Sequence, residues 1–343
     1  MRFALIGYGL WGRYHADAIV NAPGAELAAI ACASEPTAAA ARKAFPDVAV
    51  FTDYRELLAR KPELALDAVD IVVPNHLHAE VGIAALDAGL DVLLEKPMAP
   101  TVGECDALIA AARRNARVLT IGHEFRLSGQ WGGMKKIIDA GDIGRPRYGN
   151  VSLFRFPYRP GSSAWRYDQR RVGSWILEEP VHFFDMLMWY FEGQGDPVAV
   201  YAAGNSKKGA PGMYDNFSTL LHWRGDLYAT VTQTLSGFEH HHVMEVVGSE
   251  GALRTWWSGT MDRARDPRFE LKVQRRGETQ CAIVDGLGPS GEVFELQEEL
   301  RLVVEAFRAR RPLVAPEEAR KRIVVCLEAE RSVQENRVVD LRY

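Results

Sequence analysis

The feature that most constrains the fold lies at the N-terminus, where a short apolar run is followed at once by three spaced glycines. Residues 2–6 predict a buried strand, residues 7–12 read GYGLWG, and a helical stretch follows. In this setting Gly7 permits a tight turn, Gly9 lets a pyrophosphate approach the backbone, and Gly12 lets helix pack on strand. The helix N-terminus then faces the phosphates. The order of strand, turn and helix therefore predicts a nucleotide-binding unit.

The end of the second predicted strand, residues 26–32, bears on which dinucleotide is bound. In NAD-binding proteins an acidic residue about 20 residues past the glycines pairs with the adenosine ribose. Here Ser34 and Glu35 follow the strand instead of an immediate aspartate. Ser34 can hydrogen-bond a 2′-phosphate with help from Arg42 or Lys43, whereas Glu35 can reach the 2′-hydroxyl. The sequence leaves NAD and NADP both open, and simple loop chemistry before the next helix is an alternative explanation.

A second constraint is the apolar strand over residues 91–95, which ends in Glu95 and is followed by Lys96 and Pro97. A strand this apolar is expected to be covered on both faces, as in a parallel sheet. Ligands bind at the carboxyl ends of such strands, so Lys96 is expected to point into a crevice. Pro97 cannot continue the ladder and restricts the residue before it. A surface lysine before a loop is the alternative interpretation.

Helices and strands alternate up to Gly122, and six such strands predict a doubly wound parallel sheet. The pattern then changes to one helical segment, a series of β-rich stretches and two late helices. Antiparallel pairing by hairpins is the simplest interpretation of those stretches. We therefore predict an α/β chain with a Rossmann domain over residues 1–122. Residues 123–343 are expected to form an α+β domain with a large, mostly antiparallel open sheet.

Composition limits the partners and the compartment. With a formal net charge of −4, the chain is not expected to bind nucleic acid or an anionic membrane. The N-terminus lacks the features of a signal peptide, and no apolar run is long enough to span a bilayer. The four cysteines are scattered without a C-x-x-C pair. This argues against structural zinc and disulfides, and it predicts a cytoplasmic protein.

Several motifs occur in register along the chain: the glycine motif, PNHLH at residues 74–78, EKP at residues 95–97, and a later His182 with Asp185. Together they resemble the Gfo/Idh/MocA family of glucose–fructose oxidoreductase and inositol dehydrogenase, over essentially the whole chain. The resemblance implies a Rossmann domain, a second domain with a large open sheet, and a nicotinamide cofactor, NAD or NADP. The residues expected to bind that cofactor are Gly7, Gly9, Leu10, Trp11, Gly12, Ser34, Glu35, Pro74, Asn75, His76, His78, Glu95 and Lys96.

The family signature in the second domain ends in Asp-x-Gly-x-His-x-x-Asp, and residues 178–185 here read EEPVHFFD. His182 and Asp185 fit this signature. Glu178 stands in place of the family's aspartate, which keeps the carboxylate but lengthens its reach and leaves its role less defined. Pro180 stands in place of the family's glycine. Proline suits the first position of a helix, so a helix is expected to begin there.

Oxidation of a secondary alcohol requires a group that takes the hydroxyl proton as hydride leaves for the nicotinamide. A base with a pKa near neutrality is best placed for this, and His182 starts near that value. The amine of Lys96 can hydrogen-bond the developing alkoxide. We therefore expect Lys96 as orienting acid/base and clamp, and His182 as principal proton acceptor. Glu178 and Asp185 are expected to orient His182 or substrate hydroxyls; a histidine that only packs in its helix is the alternative.

Aromatic and arginine side chains are expected to bind a polyol, because an indole face packs on C–H groups and arginine donates to hydroxyls. His240, His241 and His242 suggest a metal, but strand side chains alternate faces and cannot all converge on one ion. We therefore expect no metal site, and one of these histidines in the substrate pocket. For the aromatic and arginine residues, the alternative to substrate binding is that the aromatic rings belong to the core and the arginines are solvated. The expected substrate residues are Arg126, Tyr158, Trp165, Arg166 and His182.

The sequence thus predicts an NAD(P)-dependent oxidoreductase acting on a sugar, an inositol or a related polyol or ketone. An NAD-dependent glycoside hydrolase of the same fold is one alternative, and a non-catalytic nucleotide-binding sensor is another. The helices of the second half look too few to cover both faces of its sheet, so a partner is expected to shield one face. The threonine-rich face of strand 227–235 therefore predicts a homodimer or homotetramer. A monomer whose second face is simply polar is the alternative.

Overall fold

A computed structural model describes residues 1–207, 212–235, 237 and 239–343. Among these residues, none of the helices combines the length and the apolar character needed to cross a membrane. The backbone divides into two units. The first unit comprises residues 1–123, 162–173 and 296–323, and the second comprises residues 124–161, 174–295 and 324–343.

Helices and strands are numbered in chain order. The strands are β1 (Arg2–Ile6), β2 (Glu26–Ala31), β3 (Ala49–Phe51), β4 (Ala68–Ile71), β5 (Asp91–Glu95), β6 (Leu119–Gly122), β7 (Pro146–Phe154), β8 (Ala199–Asn205), β9 (Asn216–His222), β10 (Tyr228–Thr234), β11 (His240–Gly248), β12 (Gly251–Gly259), β13 (Arg268–Arg275), β14 (Ala282–Ile283) and β15 (Val339–Asp340). The helices are α1 (Leu10–Asn21), α2 (Glu35–Ala44), α3 (Tyr54–Ala59), α4 (Lys61–Leu64), α5 (His78–Asp87), α6 (Val102–Arg114), α7 (Gly129–Asp139), α8 (Gln169–Val172), α9 (Trp175–Glu178), α10 (Pro180–Tyr190), α11 (Glu292–Arg308) and α12 (Pro316–Glu335). Short 3₁₀ turns lie at Asn75–Leu77, Glu124–Leu127, Ser162–Tyr167 and Glu192–Gln194.

The first unit is built on a six-stranded sheet of order β3-β2-β1-β4-β5-β6, in which every neighbouring pair is parallel. This confirms the predicted doubly wound sheet. Its apolar core includes Phe3, Leu5, Ile19 and Leu93, together with Phe307 from α11. The rings of Phe3 and Phe307 stack with centroids 6.2 Å apart. Burial of each such side chain stabilises the fold by about 1.5–3 kcal/mol. Because Phe307 lies in this core, α11 packs on the first sheet although it follows the second sheet in sequence.

Local side-chain contacts explain where particular helices begin. The Thr101 hydroxyl accepts a hydrogen bond from the Glu104 backbone N–H at 3.2 Å and lies 2.6 Å from its carboxylate, so α6 starts at the next residue. The Ser128 hydroxyl accepts from two backbone N–H groups at the start of α7. Pro180 is the first residue of α10, as predicted, because its fixed φ suits that position.

The second unit contains a nine-stranded sheet of order β14-β13-β12-β11-β7-β10-β9-β8-β15. It is mostly antiparallel, as predicted, but β7 and β10 pair in parallel, which pairing by hairpins alone does not produce. The two strands are separated in sequence by β8 and β9, which lie beyond β10 in the sheet. Helix α10 covers this region closely. A Cβ at Gly149 of β7 would lie 2.8 Å from side-chain atoms of Leu187 and Phe191.

The two faces of β10 have different surroundings. Ala229, Val231 and Gln233 are buried on one face. On the opposite face Tyr228 is 43% exposed, and Thr232, like the threonines two residues before and after it, is only half-buried. The described chain therefore leaves one face of this sheet uncovered at β10.

Candidate functional site

The glycine turn after β1 has the shape that a dinucleotide needs. Gly7 has a φ of +105°, and a Cβ there would lie 2.1 Å from the carbonyl oxygen of Val72. A Cβ at Gly12 would lie 1.9 Å from the carbonyl oxygen of Gly7, so only glycine permits this approach of helix and turn. Nothing lies within 4 Å of the position that a Cβ would take at Gly9, which precedes α1. The open space at Gly9 and the N-terminus of α1 therefore fit a pyrophosphate.

The residues expected to select the ribose follow β2 and are paired with their neighbours. The hydroxyl oxygen of Ser34 lies 3.0 Å from that of Thr37. The Glu35 carboxylate accepts a hydrogen bond from Arg42 Nη1 at 2.5 Å, and both side chains are exposed. Glu35, which suits a ribose hydroxyl, and Arg42, which suits a 2′-phosphate, thus neutralise each other's charge. A ligand at this edge meets two hydroxyls and one ion pair.

Lys96 follows β5 directly and is half-buried. The buried Glu95 carboxylate before it is held at Oε1, which accepts a hydrogen bond from the Trp11 indole at 2.9 Å and lies 3.1 Å from His15 Nε2. Its Oε2 accepts from the backbone N–H of Lys96 at 3.1 Å. Burial raises the pKa of Glu95, but the hydrogen bond and charge of His15 and the charge of Lys96 lower it to about 2. Glu95 is therefore a fixed carboxylate next to the lysine.

His15 joins Glu95 to further buried acids. Its Nδ1 lies 2.7 Å from Asp70 Oδ2, and both side chains are fully buried. Burial alone lowers the pKa of His15, but the charges of Asp70 and Glu95 and their hydrogen bonds outweigh it and raise the pKa to about 10. Burial raises the pKa of Asp70, against the opposing charge of His15. Glu299 of α11 is buried as well, and burial followed by the charge of Glu95 raises its pKa well above the ordinary value. A protonated His15 thus ties two strands to α1.

Sequence reasoning missed this network, although two signals for it were present. Asp70 interrupts an otherwise apolar strand, and a carboxylate inside a buried strand needs a partner. His15 lies four residues after Trp11, so both side chains project from the same face of α1. Glu299, more than two hundred residues further on, gave no signal of its own, because it lies in an amphipathic helix with many other acids.

The motif after β4 braces the turn that contains Lys96. The buried Asn75 donates a hydrogen bond from Nδ2 to the carbonyl oxygen of Val172 at 3.0 Å. The imidazole of His78 has Nδ1 at 2.6 Å from the carbonyl oxygen of Pro97 and Nε2 at 2.9 Å from that of Val73. His78 therefore links the end of β4 to the residue after Lys96, which gives this predicted cofactor residue a positioning role.

Other predicted residues of the first unit have varied surroundings. Leu10 is an exposed apolar residue at the start of α1. Pro74 and His76 are half-buried, and burial followed by the charge of Arg171 lowers the pKa of His76. Trp165 is buried, and the guanidinium carbon of Arg166 lies 4.5 Å from the centroid of one of its rings. Trp165 and Arg166 belong to the segment 162–173, which groups with the Rossmann sheet.

In the second unit, His182 lies in the first turn of α10 and is buried. The ring of Phe125 stacks on its imidazole, with centroids 4.4 Å apart and planes inclined by 16°. Oε1 of Glu124, another buried residue, lies 3.9 Å from Nε2 of His182. Stacking fixes the plane of the ring, and the carboxylate of Glu124 lies next to its Nε2. Glu124 was not identified from the sequence, although it lies two residues before Arg126, which was expected to bind substrate.

Two residues that the sequence assigned to different roles meet in this unit. Arg126 donates from Nε and Nη2 to the two carboxylate oxygens of Asp185, at 2.7 and 2.6 Å, and both side chains are almost fully buried. Asp185 therefore orients Arg126, which was expected to bind substrate. Glu178 is buried at the end of α9. Tyr158 is buried too, and its hydroxyl donates to Gln233 Oε1 at 3.0 Å.

The three consecutive histidines alternate as expected on a strand. His240 and His242 are buried on one face of β11, and the half-buried His241 projects from the other. The alternation excludes a site built from all three imidazoles. It does not exclude two of them with a carboxylate from another element, and Glu179 provides one.

Comparisons with known proteins agree with this geometry. The model of the Gfo/Idh/MocA oxidoreductase family with NAD-binding Rossmann fold matches residues 1–123, and that of the Gfo/Idh/MocA C-terminal domain matches residues 132–254. Inositol 2-dehydrogenase of Corynebacterium glutamicum is 26% identical over 272 residues, 78% of this chain and 77% of that protein. Levoglucosan dehydrogenase of Pseudarthrobacter phenanthrenivorans is 26% identical over 291 residues, 74% of this chain and 73% of that protein.

Solved structures show the same fold along the whole chain. A levoglucosan dehydrogenase in complex with NADH and levoglucosan superposes with a TM-score of 0.84 at 23% identity, covering 100% of both chains. A probable dehydrogenase from Thermotoga maritima gives a TM-score of 0.81 at 20% identity, covering 99% of this chain and 98% of that one. The two family models together match more than half of the sequence. The chain therefore belongs to the Gfo/Idh/MocA family of oxidoreductases and carries its NAD-binding Rossmann domain.

Proposed function

We propose that this enzyme transfers hydride between NAD and a carbinol or keto carbon of a sugar, an inositol or a related polyol or ketone. One observation carries the proposal: the glycine turn after β1 and Lys96 after β5 lie at the carboxyl edge of one parallel sheet, with only β4 between them. Open α/β sheets bind their ligands at this edge. Relatives named inositol 2-dehydrogenase and levoglucosan dehydrogenase support the substrate class.

Bound NAD supplies the nicotinamide ring that accepts or returns the hydride. Lys96 donates a hydrogen bond to the developing alkoxide, and His182 accepts the hydroxyl proton, so the two act as an acid/base pair. The fixed carboxylate of Glu95 supports the role of Lys96, because it accepts a hydrogen bond from the backbone N–H of Lys96 and so holds this residue in place. Phe125 and Glu124 support the role of His182, since the ring of Phe125 fixes the plane of the imidazole and the carboxylate of Glu124 lies 3.9 Å from its Nε2.

The remaining site residues bind or orient the substrate. Glu178 is buried in the turn before α10 and orients His182 or a substrate hydroxyl through its carboxylate. Asp185 acts through Arg126, whose guanidinium it holds by two hydrogen bonds. Tyr158, Trp165 and Arg166 are assigned to the polyol on their chemistry, as hydroxyl, aromatic face and cation.

The test compares Lys96→Met and His182→Ala with wild type in a nicotinamide absorbance assay over a panel of inositols, aldoses and anhydrosugars. Each substitution is expected to lower kcat by about 10² or more, the usual contribution of a positioned acid or base. The affinity for NADH, measured by fluorescence, should stay within a few-fold. Lys136→Met and His222→Ala, at exposed positions, are the matched controls and should retain full activity.

Four results would contradict the proposal. An absence of thermal stabilisation by NAD(H) would contradict the assigned cofactor. Full activity in both site variants would contradict the acid/base pair. Release of a chromogenic aglycone without net change in nicotinamide would assign a glycoside hydrolase instead. NADH binding without turnover of any substrate in the panel would favour a nucleotide sensor.

We further propose that the enzyme is a homodimer or homotetramer in the cytoplasm. The uncovered face of β10 supports the first part, because an open sheet face is stabilised when a second copy shields it. The four cysteines, all without a disulfide, support the second part. Light scattering that returned a monomer mass would contradict the oligomer, and cell fractionation tests the compartment.

A further inference from the structure

Three buried side chains of the second unit converge at one point near the start of α10. They are Glu179, which directly precedes the helix, and His240 and His242, the first and third residues of β11. Each offers one ligand atom, and these three atoms all lie within 4.8 Å of one another. The proposed acid/base chemistry uses none of these residues.

The two imidazoles face each other directly, with Nε2 of His240 at 2.7 Å from Nε2 of His242. One of these nitrogens must carry a proton and donate it, because two lone pairs would repel at this distance. The Glu179 carboxylate accepts a hydrogen bond from Arg155 Nη1 at Oε2, at 2.7 Å. Its Oε1 is buried with no hydrogen-bond partner among the described residues. A buried carboxylate oxygen in this state is costly, and a bound ligand would satisfy it.

We propose that Glu179, His240 and His242 bind one divalent cation of the zinc class. Two imidazoles and one carboxylate form the protein ligand set of many catalytic zinc sites. Tetrahedral zinc with Zn–N bonds of about 2.0–2.1 Å separates two nitrogens by about 3.3 Å, so the rings must part by about 0.6 Å from their present 2.7 Å. The cation takes the place of the proton between the rings, and that proton moves to Nδ1 of the same ring, so that both imidazoles bind in the neutral form.

Before the cation binds, the positive charges of Arg155 and Arg159 balance the negative charges of Glu179 and Asp262. Arg155, which holds Glu179, also contacts Asp262 with 3.3 Å between Nη2 and Oδ2, and Arg159 lies 3.2 Å from the same carboxylate. The two guanidinium groups weaken the attraction for a cation, so the site binds less tightly than one with excess carboxylates. By its hydrogen bond to Oε2, Arg155 also orients the carboxylate of Glu179 and so sets the direction of Oε1. Outer hydrogen-bond partners orient metal-binding carboxylates in the same way.

Aromatic rings enclose the histidine pair. The ring of Trp257 lies 5.5 Å from that of His240 and 5.6 Å from that of His242, between centroids, and Phe183 lies 5.5 Å from His242. These rings pack against the imidazoles, and both histidines are buried.

Three protein ligands leave one coordination position open, as in catalytic rather than structural zinc sites. The site also borders the candidate catalytic histidine. Phe125 lies 4.4 Å from the imidazole of His182 and 6.1 Å from that of His242, between ring centroids. A water or a hydroxyl of the proposed polyol would take the open position; this clause rests on the proposed function, whereas binding of the cation does not.

The test measures metal content rather than activity. The full chain is stripped with a chelator, dialysed against Zn²⁺ and analysed by plasma mass spectrometry, with one bound zinc per chain as the expected result. His240→Ala, His242→Ala and Glu179→Gln should each weaken zinc binding at least tenfold by titration calorimetry. His241→Ala is the matched control, because its side chain lies on the other face of β11, and it should retain one zinc.

Circular dichroism and thermal melting check that each variant is folded. If the histidine variants do not fold, X-ray absorption of zinc-loaded wild type replaces the comparison and should show two imidazole ligands. Failure of wild type to retain zinc, unchanged retention in both His240→Ala and His242→Ala, or a spectrum without imidazole would overturn the proposal. Because stoichiometry is measured without substrate or NAD, failure of the proposed dehydrogenase activity would not mimic any of these results.

Discussion

Replacement of His15 by glutamine removes the positive charge between Asp70 and Glu95 while keeping a polar side chain. The fold raises the pKa of His15 from 6.5 to about 10, and a difference of about 3.5 units corresponds to about 5 kcal/mol of stability. This value is an upper bound, because burial raises the pKa of Asp70, and the cost of burying that carboxylate reduces the net stabilisation. We expect His15→Gln to lower the free energy of unfolding by about 3–5 kcal/mol, as when one partner of a buried ion pair is removed.

The pH dependence gives this prediction a distinctive sign. Because the pKa of His15 is raised in the folded state, its stabilisation is complete below about pH 6.5 and is lost as the pH rises through about 10. About half of it remains at pH 8. The difference between wild type and His15→Gln should therefore be largest near pH 6 and shrink steadily toward pH 10.

The assay is urea-induced unfolding at pH 6, 8 and 9.5, followed by hydrogen exchange of the β4 and β5 amides. Exchange localises the loss to the strands that carry Asp70 and Glu95, which matters in a chain with two units. His222→Gln, at an exposed position of β9, is the control and should change stability by less than about 0.5 kcal/mol. A loss below about 1 kcal/mol at pH 6, or a difference independent of pH, would refute the reasoning about a buried imidazolium.

Three further perturbations have defined outcomes. Arg126→Met leaves the buried carboxylate of Asp185 without its cation and should lower the unfolding free energy of the second unit by about 3–5 kcal/mol, measured by chemical denaturation; an unchanged midpoint would contradict the buried pair. Thr232→Arg places a charge on the uncovered face of β10 twice across a two-fold axis, so light scattering should show a shift to monomer, and an unchanged oligomer would locate the interface elsewhere. Glu35→Ser frees Arg42 for a 2′-phosphate, so the ratio of kcat/KM for NADP over NAD should rise at least tenfold; a constant ratio would exclude this edge of β2 as the selector.

Contiguous signals in the sequence were sufficient for the cofactor-binding half. Gly7, Gly9 and Gly12 are close neighbours in the chain, so their spacing predicted the turn. The backbone adopts this turn, and a Cβ at Gly7 or Gly12 would clash with backbone atoms. The six parallel strands followed from the alternation of apolar strands with helices. The start of α10 at Pro180 followed from a local restriction on φ.

Pairings between distant segments were harder to predict. Antiparallel hairpins explain most of the second sheet, but the parallel contact of β7 with β10 joins strands with other elements inserted between them. The threonine-rich face of β10 was expected from alternation alone, because a strand has a period of two. Which of its faces is covered depends on where α10 packs, and a strand's own sequence does not contain that information.

The sequence by itself determined the kinds of element, the dinucleotide turn and the presence of Lys96 and His182. Only the tertiary structure decided which buried polar groups meet: His15 with Asp70 and Glu95, Arg126 with Asp185, and Glu179 with His240 and His242. The physical reason is that propensities, caps and turns act over a few residues along the chain. The charge state of a buried group depends instead on desolvation and on partners within a few ångströms, which the packing of the whole unit brings together.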